Sequence, residues 1–460
     1  MSFKTPNVYV REKAILPPSV AEVETAIPAF IGRTEITSNE TDGSFLFKPM
    51  KITSHVELDS IFGGPAPESF TVDENGNKVG EDGDNAKLLP SHLLYQSILH
   101  FFANGGGACY LVSIGDYETT SDAAAFLDAL EALKAIDEVT LLLFPDAVNL
   151  EPVQYYDIVV QALQQCADLQ DRFVPFDVLD SGNPKLENDI IDMRDAIGTR
   201  NLKYGAAYYP YVRTSIARAY TEDNVTVLVP ELDAFGIPTG NTTPTPMSDL
   251  VMTDIHASVK AGLAKNYLVL PPCASVVGIY AQTDETRGVW KAPANISINQ
   301  VIGPIKGIDD DTQEDMNVDP VSGKSVNAIR AFAGQGTLVW GARTLAGNDN
   351  EWRYIPVRRL FNFVEESVKK ASRFAVFEPN VPFTWLKVKS TIESFLQNVW
   401  EQGGLFGDSP EQAYFVNVGL GQTMTEDDIN NGIMNIEIGL AAVRPAEFII
   451  LTFSHKSISN

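Results

Sequence analysis

The sequence predicts an α/β fold, a parallel sheet with helices on its faces, and two observations carry that reading. From about residue 91 short apolar runs bounded by turn formers alternate with amphipathic helical stretches. A chain of 460 residues with 44% hydrophobic content and a mean hydropathy of −0.05 can bury a large core and divides into two to four domains.

Taken in order, residues 7–10 (NVYV) read as a short strand, set off by Pro17-Pro18, which end regular structure and suggest an extended connector. Residues 27–31, before Gly32, are a second strand. Residues 36–90 carry short β-type runs, Gly63-Gly64-Pro65 and an Asn75-Gly76 hairpin signal, so a small β-rich insertion is expected there. Leu93, Leu94, Ile98 and Phe101 then recur at helical spacing, and 109–114 form a buried strand. An Ala/Leu-rich helix at 123–136 opens on Ser121 or Asp122. Strand 140–144 closes on Pro145-Asp146; helix 155–168, strand 173–179, helix 189–199 and strand 206–211 follow. Residues 237–247 read as a Thr/Pro loop, 256–265 as a helix and 309–324 as an acidic loop. After the apolar run 338–341, two amphipathic helices are expected at 354–373 and 384–400, the second ended by Gly403-Gly404. The finish is strand-like at 414–418, 435–441 and 448–453.

No apolar run approaches the roughly 20 residues of a spanning helix. The opening MSFKTPNVYVREK lacks the apolar core of a secretory signal. Three widely spaced cysteines, Cys109, Cys166 and Cys273, suit a reducing cytoplasm as small buried hydrophobes. The net charge of −26 argues against nucleic acid as a partner. Residues 341–460 hold 11 Lys+Arg against 14 Asp+Glu, so about −23 falls on the remainder.

Motifs that imitate chemistry fail on spacing. Gly323-Lys324-Ser325 resembles the end of a phosphate loop, but Val318 stands where glycine is required. Gly105-Gly106-Gly107 precedes a strand, which a dinucleotide fingerprint does not. Asp73–Asp84 has Lys78 at the obligatory glycine of a calcium loop, and Asp309-Asp310-Asp311 lacks that glycine too. Asp254 and His256 share one helix, and nothing in the sequence places a base beside Ser275. No cofactor or metal is expected, and no enzyme activity.

Residues 271–295, PPCASVVGIYAQTDETRGVWKAPAN, carry small residues (Ala274, Ser275, Gly278, Ala281) that allow tight packing. This run closely resembles the GxYAxTDxxRGVWKAPAN signature of contractile tail sheath proteins. The resemblance continues in LLLFPDA (141–147), FFANGGG (101–107), RRLFNFVEESVKKASRFAVFEPN (358–380), TMTEDDINNG (423–432) and VRPAEF (443–448). It implies a subtilisin-like domain without a working site at 26–35 and 91–345, a peripheral insertion at 36–90 and an N-terminal arm at 1–25. It also implies an α+β assembly domain at 346–460, built from the two chain termini. The implied role is a structural and mechanical subunit that polymerises around an inner tube and contracts. An active subtilisin-like serine hydrolase and a sheath terminator or baseplate-proximal relative are the alternatives.

Apolar strands at both chain ends are a liability unless something pairs them. Donated to a neighbour's sheet, they would link copies by heterologous contacts that propagate as an open helix; pairing within one subunit is the other possibility. The arm residues are Asn7, Val8, Tyr9, Val10, Phe448, Ile449, Ile450, Leu451, Thr452 and Phe453. Lys369, Lys370, Arg373, Lys387 and Lys389 are the candidate tube-facing residues, with ordinary solvation of a helix face as the alternative. Expected partners are further copies of the chain, an inner tube protein, and baseplate and terminator or cap proteins, without nucleic acid or membrane insertion. Assembly is expected in the cytoplasm of the producing bacterium, ahead of incorporation into a phage tail or tail-like injection particle.

Overall fold

The structure, a computed structural model, describes residues 20, 22–39, 43–79, 89–120 and 122–448. The strand expected at 7–10 lies outside them, as does 448–453 beyond its first residue. Contacts divide the chain into two compact units. The large one is Glu24–Phe363 with the chain from Arg444; the small one is Val364–Val443 with the chain up to Val23. The division therefore falls inside a helix, Ile355–Ser372, and not at the expected 345/346 border.

The large unit is built on a sheet with six parallel strands in the spatial order β6 (Cys109–Ser113), β1 (Pro28–Gly32), β7 (Leu141–Leu143), β8 (Val174–Asp177), β9 (Gly205–Tyr209) and β16 (Val326–Phe332). The β7 to β8 step is a single parallel bridge, in which Leu142 N–H donates to the Phe173 carbonyl at 3.1 Å. Antiparallel strands extend both ends: β4 (Met50–Ile52) beside β6, then β17 (Gly336–Trp340) and β14 (Ile296–Ser297) beyond β16. Residue alternation sorts the two faces. Ala29, Ile31, Val112, Leu142, Phe176 and Ala207 join one core cluster with helices α3 (Ala123–Leu133), α4 (Pro152–Leu169) and α5 (Leu186–Ala196). Phe30, Leu111, Leu141 and Tyr208 join the other with α1 (His55–Phe62), α2 (Leu94–Ala103) and α7 (Cys273–Arg287). A sheet covered on both faces explains why its strands read as unbroken apolar runs.

Several expectations need correction. The 36–90 segment is not a separate β-rich body: β4 belongs to the main sheet and α1, capped by Ser54, follows it. A minimal pair, β2 (Ser38–Asn39) with β3 (Gly43–Ser44), and β5 (Phe70–Asp73) complete that stretch. The Asn75-Gly76 turn does form: Gly76 adopts φ +79°, and Val72 pairs antiparallel with Lys78. The Thr/Pro loop at 237–247 is instead a strand, β12 (Pro238–Pro246), antiparallel to β11 (Val225–Leu232), which pairs in parallel with β5. Almost every β12 residue is exposed, so no apolar alternation marked it, and its prolines are tolerated on an edge. Helix α6 (Asp254–Leu263) packs beneath this sheet. The acidic loop at 309–324 contains a helix, α8 (Asp310–Asn317), with Asp309 as its N-cap. A further sheet pairs β10 (Val212–Ala217) with β13 (Tyr267–Leu270) and β15 (Val301–Pro304).

The small unit holds the later turns of α9 (Ile355–Ser372), all of α10 (Pro382–Glu401), and a two-stranded antiparallel sheet of β18 (Tyr414–Asn417) and β19 (Glu437–Leu440). The expected α10 stripe is buried at Trp385, Val388, Ile392, Phe395 and Val399. Trp385 packs with Val418 and Met424, and its indole N–H donates to Asn380 Oδ1 at 2.6 Å.

Candidate functional site

Open α/β sheets bind ligands where neighbouring strands lead their connections to opposite sides, here beyond the carboxyl ends of β1 and β7. Asp146 fills that position. Its carboxylate accepts the backbone N–H of Arg33 at 2.7 Å, Leu93 at 2.6 Å and Leu94 at 2.9 Å. It thereby caps α2 from a distant loop, because Leu93 at the N-cap has no capping side chain of its own. A Cβ on Gly32 would lie 2.6 Å from Asp146 Oδ2, so the close approach requires glycine. Farther along the same edge Asp177 accepts the Cys273 N–H at 2.9 Å, and burial pushes its carboxyl up to about 7. The crevice is closed by the protein's own groups.

Ser275 and three of the described histidines make structural contacts. Ser275 is fully buried and its hydroxyl donates to the Pro272 carbonyl at 2.7 Å. His100 Nε2 lies 3.0 Å from the Asn299 carbonyl, and His92 stacks on Tyr117 at 4.9 Å between centroids. His256 sits on α6 with Asp254, as expected, and its ring faces Glu222 at 3.3 Å. Lys324 donates to the Arg194 carbonyl and Ser325 to the Asn317 carbonyl, so the phosphate-loop imitation is packing. Asp73 Oδ1 accepts Asn75 N–H and Asn77 N–H and so organises a hairpin turn. Among the described residues no group of three or more His, Cys, Asp or Glu is placed to hold a metal ion.

The 271–295 run serves as packing. On α7, a Cβ on Gly278 would sit 2.5 Å from the Phe101 carbonyl of α2, so this contact needs glycine. Tyr280 and Tyr208 share a buried hydroxyl pair at 2.6 Å. Asp284 takes two bonds from Arg359, at 3.0 and 2.5 Å, and one from the Thr25 hydroxyl at 2.6 Å. Near the end of the chain Glu447 accepts from Arg343 Nε at 2.9 Å, Arg343 Nη2 at 2.6 Å and Asn317 Nδ2 at 2.7 Å. Burial raises the Glu447 carboxyl, but these bonds outweigh it and hold it below the usual carboxylate range. Sequence reasoning quoted Asp146, Asp284, Arg359 and Glu447 within motifs without assigning them roles; only the motif context marked them.

In the small unit, no other described strand pairs with β18 or β19. A two-stranded ribbon is marginal alone, and its edges are templates for added strands. Of the arm residues only Phe448 is described, and it is exposed. Four of the candidate tube-facing side chains fall on two helices, Lys369 and Lys370 on α9 and Lys387 and Lys389 on α10. Lys369 and Lys370 pair with Glu366 at 2.9 and 3.4 Å, Lys389 with Glu393 at 3.6 Å, and Lys387 covers the Phe374 ring at 4.5 Å. Arg373 begins the short 3-10 turn Arg373–Ala375. Close to them in sequence, the apolar Val376, Phe377, Phe383 and Leu386 are exposed.

Residues 347–456 match the family described as the phage tail sheath C-terminal domain. Over nearly its whole length the chain is 32% identical to the protein in the cryo-EM structure of the anti-feeding prophage helical sheath in its contracted state. That match covers 99% of this chain and 100% of the other at a TM-score of 0.67. The chain belongs to the contractile tail sheath family. This sheath protein is also 30% identical to the chain in the contracted PVC sheath complex of an extracellular contractile injection system, covering 99% of each at a TM-score of 0.66. It is 29% identical to the tail sheath protein of Vibrio phage KVP40 over 137 residues, 30% of this chain and 20% of the phage protein. The match thus spans about a fifth of that relative's length.

Proposed function

We propose that this sheath protein is the structural and mechanical subunit of a contractile injection particle, polymerising around an inner tube and shortening to drive it through a target envelope. The observation that carries this is the end-to-end likeness to chains solved as contracted sheaths. The large unit is read as the subtilisin-like domain, supported by its parallel sheet, and as free of enzyme activity, supported by the closed crevice and the buried Ser275.

The arms are read as strands donated between copies. In support, no other described strand pairs with β18 or β19, and each strand added to that ribbon would link two subunits through main-chain hydrogen bonds. The chain's ends are covalently continuous with the unit boundaries at Val23 and Arg444, so a donated strand can transmit force to the folded body. Inner tube, baseplate and terminator proteins are the proposed partners beside other copies, with Lys369, Lys370, Arg373, Lys387 and Lys389 toward the tube. Assembly would take place in the producing cell's cytoplasm before release in a particle. Stored energy would lie in lattice contacts between two packings, with no nucleotide consumed.

Electron microscopy of the purified full chain, alone and co-expressed with a neighbouring small tube protein, tests the reading. Helical cylinders are expected. A persistently monomeric chain whose serine is labelled by a fluorophosphonate would overturn it in favour of a hydrolase.

A further inference from the structure

The chain passes between its two units at three peptide links, 23/24, 363/364 and 443/444. On the large unit's side each link lands close to an ion pair, buried at Asp284–Arg359 and part-buried at Glu447–Arg343, whose carboxylate side chain is 21% exposed. After the first, the Thr25 hydroxyl donates to Asp284 Oδ2 at 2.6 Å and the Thr25 carbonyl accepts from Arg359 Nη2 at 2.9 Å. Arg359 itself precedes the second link on α9; it grips both Asp284 oxygens and lies over the Tyr280 ring at 4.6 Å. The Arg359 and Asp284 side chains are only 3% and 6% exposed. One carboxylate therefore ties the chain beside two different links. After the third link, Glu447 is held by Arg343 through two nitrogens, by Asn317, and by the Tyr354 hydroxyl at 3.2 Å. On the small unit's side Val23 N–H donates to Ser367 Oγ at 3.4 Å, so the first two links have a tie there as well.

Apolar contacts hold surfaces together but are non-directional and let them slide. A bidentate guanidinium–carboxylate pair fixes both direction and distance, and burial removes the water that would replace its bonds. Sequestering charge is costly, and apolar residues of similar size would hold a static core as well. Placing such pairs where covalent links enter a unit makes sense when those links are pulled. We propose that Asp284–Arg359 and Glu447–Arg343 are the anchors through which load borne by the small unit enters the large one. They are positioning residues for sheath contraction, and this rests on the sheath reading.

The test compares the full-length chain with Asp284→Asn, Glu447→Gln and a control, Glu68→Gln, which disrupts the Glu68–Arg218 pair, as buried as Asp284–Arg359 and remote in sequence from every link. Hydrogen exchange of the soluble chain needs no assembly. Asp284→Asn is expected to speed exchange about tenfold or more at 24–27 and 355–363, and Glu447→Gln at 444–447, leaving the rest of the large unit unchanged. Asp284→Glu, which keeps the charge, should recover part of the protection. In assembled sheaths the double variant Asp284→Asn/Glu447→Gln should break or stall during contraction where Glu68→Gln completes it. Exchange changes spread evenly over the large unit, or a double variant that contracts to wild-type length intact, would overturn the proposal. If the wild-type chain forms no sheath the functional reading fails, while the exchange result still decides whether the anchors hold the links.

Discussion

At the scale of single residues, groups that resemble active-site chemistry act as fasteners. Asp146 sits at the position of a ligand and serves as a remote helix cap; Asp284 and Glu447 hold chain links. His100 gives a pH signature. Burial lowers its pKa from 6.5 to about 4, only partly opposed by its bond to the Asn299 carbonyl. The unfolded chain takes up this proton below about pH 6.5 and the folded one only near 4, so its contribution is full above 6.5 and is lost as pH falls toward 4. Replacing His100 by Asn should therefore cost about 2 kcal/mol less at pH 5 than at pH 7.5, since each pKa unit is worth about 1.4 kcal/mol. Urea midpoints of both proteins at the two pH values measure this, and an unchanged difference contradicts it.

At the scale of elements, the sequence made the alternation of strands and helices from 91 to 211 legible because both sheet faces are covered, leaving unbroken apolar strands. The Asn75-Gly76 turn was legible because its backbone conformation belongs to that residue type. Strand β12 was hidden because it buries almost nothing, and α8 because its polar sequence buries only Met316. The Asp284–Arg359 and Arg343–Glu447 ties were hidden too, since their partners lie 75 and 104 residues apart and no local pattern joins them. The small residues of the 271–295 run, by contrast, suggested tight packing, and Gly278 against Phe101 is where the structure has it. Gly278→Ala should push α7 from α2 and destabilise the large unit by about 1–3 kcal/mol, the usual range for overpacking. Denaturant unfolding of the variant measures it; a loss below about 0.5 kcal/mol would mean the helices part freely.

At the scale of the whole molecule, the large unit has the crevice at its strand ends filled by Asp146 and Asp177, and the small unit presents a ribbon with which no other described strand pairs. On the proposed reading, function is a property of the lattice. Removing residues 1–18 or 448–460 should abolish long cylinders, and circular dichroism of each truncated chain checks that the subunit still folds. The measurement that tests this most directly is a cryo-EM reconstruction of the full chain assembled into sheath, at a resolution that separates strands. The account predicts that the edges of the β18–β19 ribbon are each paired with a terminal strand from another copy. Ordered cylinders in which both edges stay bare, with the termini folded back on their own subunit, would contradict it.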